Sequence, residues 1–271
     1  MEQFQDKVAV ITGGASGIGY ATAAALAREG ARLVLADIEQ AALDAAVKRL
    51  AATGAKVIGI RTDVGDRASV QALADAAWQH FGAVHILFNN AGVAVFGPTH
   101  EMTHADWEWS IRVNLWGPIH GVECFVPRMI AQNQGGHVLF TASFAGLVPN
   151  RELGPYCVTK FGTVALAECL QKDIKAHGIG VSVLCPMRVT TNIDESFRNR
   201  PDELGGPKAN RTYSDDEKAQ LAGRELAVEP VAGLVLEAIR QNQLYIHTHK
   251  EAATYVRRRF DRMNEAFDRA L

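Results

Sequence analysis

The order of apolar runs along the chain constrains its fold more than any other feature. Short runs rich in β-branched residues alternate with longer Ala-rich segments, and Val8–Ile11 is apolar at every position. Strands without polar alternation are buried on both faces, as in a parallel sheet covered on each side by crossover helices. We therefore predict an α/β fold in which helices flank a doubly wound parallel sheet of about seven strands on both faces.

The strand predictions follow from these runs. They are Lys7–Thr12, Arg32–Ala36, Lys56–Arg61, His85–Asn89, His137–Thr141, Val181–Cys185 and Leu244–His247. A polar stretch at about 192–220, rich in Arg, Asp, Gly and Pro, is interpreted as a lid-like insertion. A helix at about 252–271 ends the chain, and its 271 residues suit a single domain, 1–271.

Composition excludes several classes of function. The formal charge is −2, and no long run of Lys or Arg is present, so nucleic acid is not an expected partner. No apolar stretch approaches the ~18 residues of a membrane span, and no signal peptide is evident, so we expect no membrane partner and a cytoplasmic location. The four cysteines form no CxxC pair, and His247 and His249 lack a third ligand nearby, so no metal site is predicted.

A glycine-rich turn follows the first predicted strand. It reads Thr12-Gly-Gly-Ala-Ser-Gly-Ile-Gly19 and leads into an Ala-rich helix. Glycine allows a tight turn and close approach to a pyrophosphate, while the first turn of the helix offers free N–H donors. The alternative is an ordinary strand-to-helix turn. The setting favours a Rossmann-type dinucleotide site.

The end of the second predicted strand carries Asp37, where an acidic residue accepts hydrogen bonds from the adenosine ribose. A carboxylate there repels a 2′-phosphate, and neither Ser16 nor Ile38 offers a compensating cation, so NAD is favoured over NADP. The alternative for Asp37 is a solvated or helix-capping carboxylate. The predicted cofactor-binding residues in this half of the chain are Gly13, Ser16, Gly17, Ile18, Gly19, Asp37, Asp63, Val64, Asn90, Ala91 and Gly92.

Candidate catalytic residues cluster around a helix predicted to begin near Pro155. Tyr156 and Lys160 are four residues apart and so share a helix face. An ammonium and an oxidised nicotinamide would both lower the pKa of a tyrosine acting as a base. Ser143 follows the fifth strand and could hold the substrate oxygen. Asn114, expected within a long helix, could anchor a water relay to Lys160 or be a buried hydrogen-bonding residue.

The order and spacing of these motifs resemble those of the single-domain branch of the short-chain dehydrogenase/reductase family over about residues 6–192. The matching elements are TGxxxGxG at Thr12–Gly19, Asp37, Asp63, NNAG at Asn89–Gly92, Asn114, Ser143 and YxxxK at Tyr156–Lys160. The resemblance implies that Tyr156 donates or accepts the proton and Ser143 orients the substrate oxygen. It also implies that Lys160 binds the nicotinamide ribose and lowers the pKa of Tyr156, and that Asn114 completes a proton relay.

The loop after the sixth strand departs from the family pattern, because Met187 stands where a glycine is usual. The resemblance adds Pro186, Val189 and Thr191, together with Tyr156 and Lys160, to the cofactor contacts. Phe125–Ala131 and Thr191–Ile193 look like bacterial relatives that oxidise benzylic alcohols of lignin-derived aryl ethers. Residues expected beside the substrate are Phe96, Ser143, Phe144, Leu147, Val148 and Met187, and they suggest an apolar or aromatic substrate. For Phe96, Phe144, Leu147 and Val148 the alternative is core packing beneath the lid.

We therefore expect an oxidoreductase that transfers hydride between NAD(H) and a secondary alcohol or ketone, with Tyr156 as general acid or base. One alternative is an NAD-binding sensor or scaffold without turnover; another is an epimerase or dehydratase of the same fold. The apolar stripe of the terminal helix could pack on its own domain or on another subunit. A homo-oligomer, dimer or tetramer, is expected.

Overall fold

A computed structural model of the protein describes residues 1–207 and 224–267. Seven parallel strands form one sheet in the order β3-β2-β1-β4-β5-β6-β7. The strands are β1 (Val8–Thr12), β2 (Arg32–Asp37), β3 (Val57–Arg61), β4 (Ile86–Asn89), β5 (Gly136–Thr141), β6 (Ile179–Cys185) and β7 (Tyr245–His247). The seven strand predictions are thus confirmed, each end falling within two residues of the expected position.

Helices occupy both faces of the sheet, as a doubly wound topology requires. In chain order they are α1 (Gly17–Arg28), α2 (Gln40–Ala51), α3 (Arg67–Phe81), α4 (His104–Ile111), α5 (Gly117–Gln132), α6 (Gly154–Ile174), α7 (Val228–Gln241) and α8 (Ala252–Phe267). The apolar faces of α1, α2 and α7 form one core, and those of α3, α5 and α6 form the other.

Alternate side chains of each central strand enter these two cores. In β1, Ala9 and Ile11 face the first core, whereas Val8 and Val10 face the second. All five residues of β1 are buried, which explains why the strand shows no polar alternation. Val10 also lies between Val34 of β2 and Leu87 of β4, so β1 is at the centre of the sheet.

The strand order reverses direction between β1 and β4. From β1 the chain proceeds through β2 to β3 on one side, and then returns to β4 on the other. In open parallel sheets, a crevice opens at such a point beyond the carboxyl ends of the strands. The segments after β1, β2, β4, β5 and β6 therefore converge on one edge.

The long helix expected around Asn114 contains a π-helical turn. Helix α4 passes into a π-helical turn at Arg112–Trp116, and α5 begins after it. A π turn inserts one extra residue and breaks the regular hydrogen-bond pattern of a helix. Asn114 lies within this turn, in the middle of a helical run from His104 to Gln132, as predicted.

The first half of the terminal helix α8 contacts the body of the protein. Ala252 is buried, the Tyr255 ring packs edge-on against Phe144, and the Arg259 guanidinium lies over the Phe161 ring. Further along, the apolar residues Phe260, Met263 and Phe267 are exposed. Residues 208–220 of the predicted lid and 268–271 of the predicted helix lie outside the described residues.

Within residues 1–207 and 224–267, no helix is both long enough and apolar enough to cross a bilayer.

Candidate active site

A cavity of about 1000 Å³ opens at the carboxyl edge of the sheet. It extends from the ends of β1 and β2, past the loops after β4 and β5, to the loop after β6. Its walls contain most of the predicted site residues: Gly13, Ser16, Gly17, Ile18, Asp37, Asp63, Val64, Asn90, Ala91, Gly92, Phe96, Ser143, Phe144, Tyr156, Lys160, Pro186, Met187, Val189 and Thr191. Gly19 and Asn114 lie behind its walls.

The turn between β1 and α1 has a backbone conformation suited to binding an anion. Gly13 and Gly17 have φ angles of +61° and +54°, which side chains with a Cβ rarely adopt. A Cβ on Gly13 would lie 2.9 Å from the Ala91 Cα atom, and one on Gly17 would lie 3.2 Å from Thr191 Cγ2. The side chain of Ser16, which precedes α1, makes no capping hydrogen bond, and the first turn of α1 contains no acidic residue. These features fit a dinucleotide pyrophosphate at this helix end.

Gly19 does not line the cavity but allows close packing behind its wall. A Cβ at this position would lie 2.2 Å from the Gly13 carbonyl oxygen and 2.6 Å from Asn90 Nδ2. The glycine therefore lets α1 approach the loop after β4, which is the close helix-to-strand packing that such a turn needs.

Asp37 ends β2 and is held by the backbone around it. One carboxylate oxygen accepts from the Ala15 amide and the other from the Glu39 amide, both at 3.1 Å. Partial burial raises the pKa of Asp37, and the nearby Glu39 carboxylate acts in the same direction, against these amide hydrogen bonds. The geometry fixes an acceptor at the position expected beside an adenosine ribose.

A hydrogen-bonded network fixes the loop after β4. The Thr12 hydroxyl accepts from the Asn90 and Ala91 amides at 2.9 and 3.1 Å. Asn90 Nδ2 donates to the Thr12 and Gly13 carbonyls at 3.0 and 3.2 Å, and Asn90 Oδ1 accepts from the Thr141 hydroxyl at 2.9 Å. The Asn90 side chain thus joins the ends of three strands at the centre of the cavity. Thr12 and Thr141 were missed as supporting residues because threonine at a strand end carries no distinctive signal.

Tyr156 and Ser143 meet in the cavity wall. Ser143 lies just beyond β5, where its Oγ accepts from the Ala145 amide at 3.1 Å, and Tyr156 lies in the first turn of α6. Ser143 lies near enough to the Tyr156 phenol to lower its pKa. Both residues line the cavity, so two hydroxyl groups are available there for the recognition of a carbonyl or alcohol oxygen.

Lys160 lies one turn after Tyr156 and is 2% exposed. Its ammonium nitrogen donates to the Thr141 carbonyl at 2.8 Å. A Cβ on Gly92 would lie 3.4 Å from that nitrogen and 3.3 Å from Asn114 Oδ1, so glycine leaves room beside both groups. The ammonium therefore lies at the floor of the cavity between the loops after β4 and β5.

The surroundings of Tyr156 do not lower its pKa. Burial raises the pKa of Tyr156 to about 12, and Ser143 opposes that shift only in part. Burial likewise lowers the pKa of Lys160 to about 8. Desolvation of the phenolate therefore dominates the pKa of Tyr156 in this structure, and a lowering of that pKa by Lys160 stays a prediction for the chain with its cofactor bound.

The side chain of Asn114 forms hydrogen bonds with other buried groups of the protein. Its Oδ1 accepts from the Val93 amide and its Nδ2 donates to the Val93 carbonyl, both at 2.8 Å. Nδ2 also lies 3.3 Å from the Thr159 hydroxyl, and the Asn114 carbonyl accepts from Thr163 at 3.2 Å. Asn114 thus clamps the loop after β4 to α6. This is the buried hydrogen-bonding role that the sequence left open beside the water relay.

The apolar residues near Tyr156 divide into two groups. Phe96, Phe144 and Met187 line the cavity, as expected for substrate contacts. Leu147 and Val148 do not: Leu147 packs against the core of α3, α5 and α6, and Val148 lines a separate surface depression beside α8. Leu147 thus has the alternative role, core packing, and Val148 lies outside the cavity just after the short helical turn at Phe144–Gly146.

A segment after β6 covers the cavity, and we name residues 193–204 the strap. It consists of the short helices Ile193–Asn199 and Asp202–Leu204. Side-chain contacts fasten it to the body: Ser196 Oγ donates to the Ala94 carbonyl at 3.2 Å, and the buried Arg200 forms an ion pair with Asp106. The sequence indicated a lid here but not these contacts, because their partners are distant along the chain.

Within the described ranges, His, Cys, Asp and Glu side chains form no group of three that could hold a metal ion. His249 instead bonds the Arg224 carbonyl through Nε2 at 2.7 Å.

Residues 7–202 match the protein family described as short chain dehydrogenase. A C alpha-dehydrogenase from Sphingobium sp. strain SYK-6 is 36% identical over 266 residues, covering 96% of this chain and 86% of that protein. A 1-deoxy-11-beta-hydroxypentalenate dehydrogenase from Streptomyces exfoliatus is 33% identical over 259 residues, which cover 95% of this chain and 88% of that protein.

A similar solved structure is a short chain dehydrogenase/reductase from Burkholderia phymatum in complex with NAD. It is 42% identical, covers 98% of this chain and 97% of its own, and superposes with a TM-score of 0.90. Fold and sequence agree along nearly the whole chain. The protein belongs to the short-chain dehydrogenase/reductase family and is an oxidoreductase.

Proposed function

We propose that this oxidoreductase transfers hydride between NAD(H) and a secondary alcohol or ketone whose substituents are apolar or aromatic. One observation carries the proposal: a single cavity has Asp37 and the glycine cradle at one end and Ser143, Tyr156 and Lys160 at the other. This order suits a dinucleotide whose nicotinamide end lies beside the hydroxyl groups.

The proposed cofactor residues divide by position. The turn at Gly13–Gly19 with Ser16 and Ile18 would hold the pyrophosphate, and Asp37 the adenosine ribose. The remaining cofactor contacts would come from Asp63, Val64, Asn90, Ala91, Gly92, Pro186, Val189 and Thr191. NAD is favoured because a 2′-phosphate would meet the carboxylate of Asp37.

In the proposed reaction, bound NAD supplies the hydride acceptor for alcohol oxidation. Ser143 donates a hydrogen bond to the substrate oxygen, and Tyr156 accepts the proton of the alcohol O–H group as the C–H hydride leaves the same carbon. In ketone reduction Tyr156 returns that proton to the oxygen. A tyrosine whose pKa is about 12 holds its proton firmly, so the cation of oxidised nicotinamide would have to favour the phenolate.

The substrate preference follows from the surfaces near Tyr156. Phe96, Phe144 and Met187 offer apolar area for an aryl or alkyl substituent. The likeness to a C alpha-dehydrogenase is compatible with that preference.

The test is a panel of alcohols assayed with NAD and NADP by the absorbance of reduced nicotinamide. It compares an aryl-substituted secondary alcohol with an aliphatic secondary alcohol of equal carbon number and with a polyol. We expect turnover with NAD, fastest for the aryl compound. NAD binding without turnover of any alcohol or ketone would instead favour a sensor or scaffold.

The proposed assembly is a homo-oligomer. Trp116 and Val158 are 49% and 52% exposed, and the apolar stripe of α8 adds further uncovered area. Light scattering coupled to gel filtration should give a mass of at least two chains, and a monomeric mass would contradict this expectation.

A further inference from the structure

The side of the cavity near Asp37 contains a cation that the sequence did not suggest. Arg198, in the strap, donates to Glu39 Oε1 through Nε at 3.1 Å and through Nη2 at 2.6 Å. Asn199 Nδ2 donates to the same oxygen at 2.8 Å. Glu39, Arg198 and Asn199 all line the cavity. One carboxylate thus fastens the strap to the loop after β2.

Glu39 and Asp37 belong to one turn. The Glu39 amide donates to Asp37 Oδ1 at 3.1 Å, and the negative charge of Glu39 contributes to the raised pKa of Asp37. The guanidinium that meets Glu39 is therefore close to the position where a dinucleotide would carry, or lack, a 2′-phosphate. Arginine is well suited to bind phosphate when it is free to do so.

The guanidinium of Arg198 already binds acceptors on the protein. Besides Glu39, Arg198 Nη1 donates to the carbonyls of Asn192 and Glu195 at 3.2 and 2.9 Å. The ion pair also holds the pKa of Glu39 below its usual range, mainly through the hydrogen bond from Arg198. All three guanidinium nitrogens thus have acceptors on the protein.

We propose that Glu39 is a specificity-determining residue that keeps the cavity selective for NAD by pairing with Arg198, which would otherwise attract a 2′-phosphate. The inference rests on the proposed NAD site and adds to Asp37 a second, indirect source of selectivity. Asp37 repels the phosphate directly, whereas Glu39 acts by neutralising the nearby cation. Glu39 is in this sense a positioning residue for Arg198.

The experiment measures dissociation constants of NAD and NADP by calorimetry, without substrate. The variants are Glu39→Gln, Arg198→Met and their combination. Glu39→Gln keeps an acceptor oxygen but removes the charge, and Glu39→Ala is a second variant that also removes the acceptor. Glu123→Gln is the matched control, because Glu123 pairs with Arg67 in an exposed ion pair outside the cavity. Thermal unfolding of each variant verifies that it is folded.

For Glu39→Gln we expect NADP to bind about tenfold more tightly, with NAD changed by less than about threefold. Adding Arg198→Met should remove the gain, and Glu123→Gln should show none. Arg198→Met alone should leave NAD affinity within about threefold, because the guanidinium serves Glu39 rather than the cofactor.

Three results would overturn the inference: an unchanged NADP affinity in both Glu39 variants, a gain that persists without Arg198, or a large loss of NAD affinity in Arg198→Met. Each of these leaves the proposed NAD site intact if the wild-type chain binds NAD. A wild-type chain that binds neither nucleotide would instead overturn the proposed function, and this inference with it.

Discussion

The ammonium nitrogen of Lys160 lies 5.5 Å from the centre of the Tyr156 ring, one helical turn away. At this distance the two side chains share a buried region without a direct hydrogen bond between them among the contacts described. Each resists ionisation there: the phenol has a raised pKa and the ammonium a lowered one. The proposed chemistry uses this pair. Because their pKa values are shifted by folding, the stability of the fold should depend on pH.

The first prediction concerns stability and pH. Burial lowers the pKa of Lys160 from 10.5 to about 8, so between these values the unfolded chain binds the proton more tightly than the folded chain. The contribution of Lys160 to stability should therefore rise with pH across that window, by an amount on the order of 3 kcal/mol at most. Tyr156, with its pKa raised from 10.0 to about 12, acts oppositely above pH 10, so the comparison is confined to pH 8–10.

The measurement is urea unfolding of the wild type and Lys160→Met at several pH values in that range. The wild type should gain stability relative to the variant as the pH rises. Parallel pH profiles would show that the Lys160 ammonium is not desolvated in the folded state.

The second prediction concerns the cofactor. Asp37→Ala removes the acceptor from the end of β2, so NAD should bind at least about tenfold more weakly. The affinity for NADP should fall by less, because the repulsion between the carboxylate and the 2′-phosphate disappears as well. Calorimetric titration of both nucleotides measures the ratio. Equal affinities of the wild type for NAD and NADP would contradict the assignment of Asp37.

The third prediction compares two glycines in helices. Gly19→Ala should destabilise the fold by several kcal/mol and abolish nucleotide binding, because the new Cβ would lie 2.2 Å from the Gly13 carbonyl oxygen. Gly233→Ala is the control: no atom lies within 4 Å of the added methyl group, and alanine should stabilise α7 by roughly 0.5–1 kcal/mol. Chemical unfolding measures both. A Gly19→Ala protein with wild-type stability would refute the close packing described here.

The fourth prediction concerns Asn114. Asn114→Ala leaves the amide and carbonyl of Val93 without their buried partners, at a cost of about 2–4 kcal/mol in unfolding free energy. Asn264→Ala, on the exposed part of α8, should change stability by less than about 0.5 kcal/mol. If denaturant unfolding gives the same value for both variants, Asn114 does not clamp the loop after β4.

The predictable part of this protein is the part encoded by local patterns. Continuous apolar runs such as Val8–Ile11 identify strands buried on both faces, and the spacing from Gly19 to Asp37 matches one helix and one strand. Tyr156 and Lys160 share a helix face by periodicity alone. These features needed no knowledge of distant contacts.

The remaining features depend on tertiary contacts between segments remote in sequence. Arg198 pairs with Glu39 across 159 residues, and no local pattern marks either residue as a partner of the other. The π turn at Arg112–Trp116 accompanies bonds from Asn114 to Val93 and Thr163, which a helix pattern does not encode. The raised pKa of Tyr156 likewise depends on how deeply α6 is packed.

The most direct test of the account is Tyr156→Phe, assayed for turnover and for NAD binding in the same preparation. The variant removes only the phenolic oxygen, so turnover of the best secondary alcohol should fall by about 10³-fold or more, while the NAD dissociation constant stays within about threefold. A variant that retains substantial turnover would contradict the role of Tyr156 as the proton acceptor and with it the proposed mechanism.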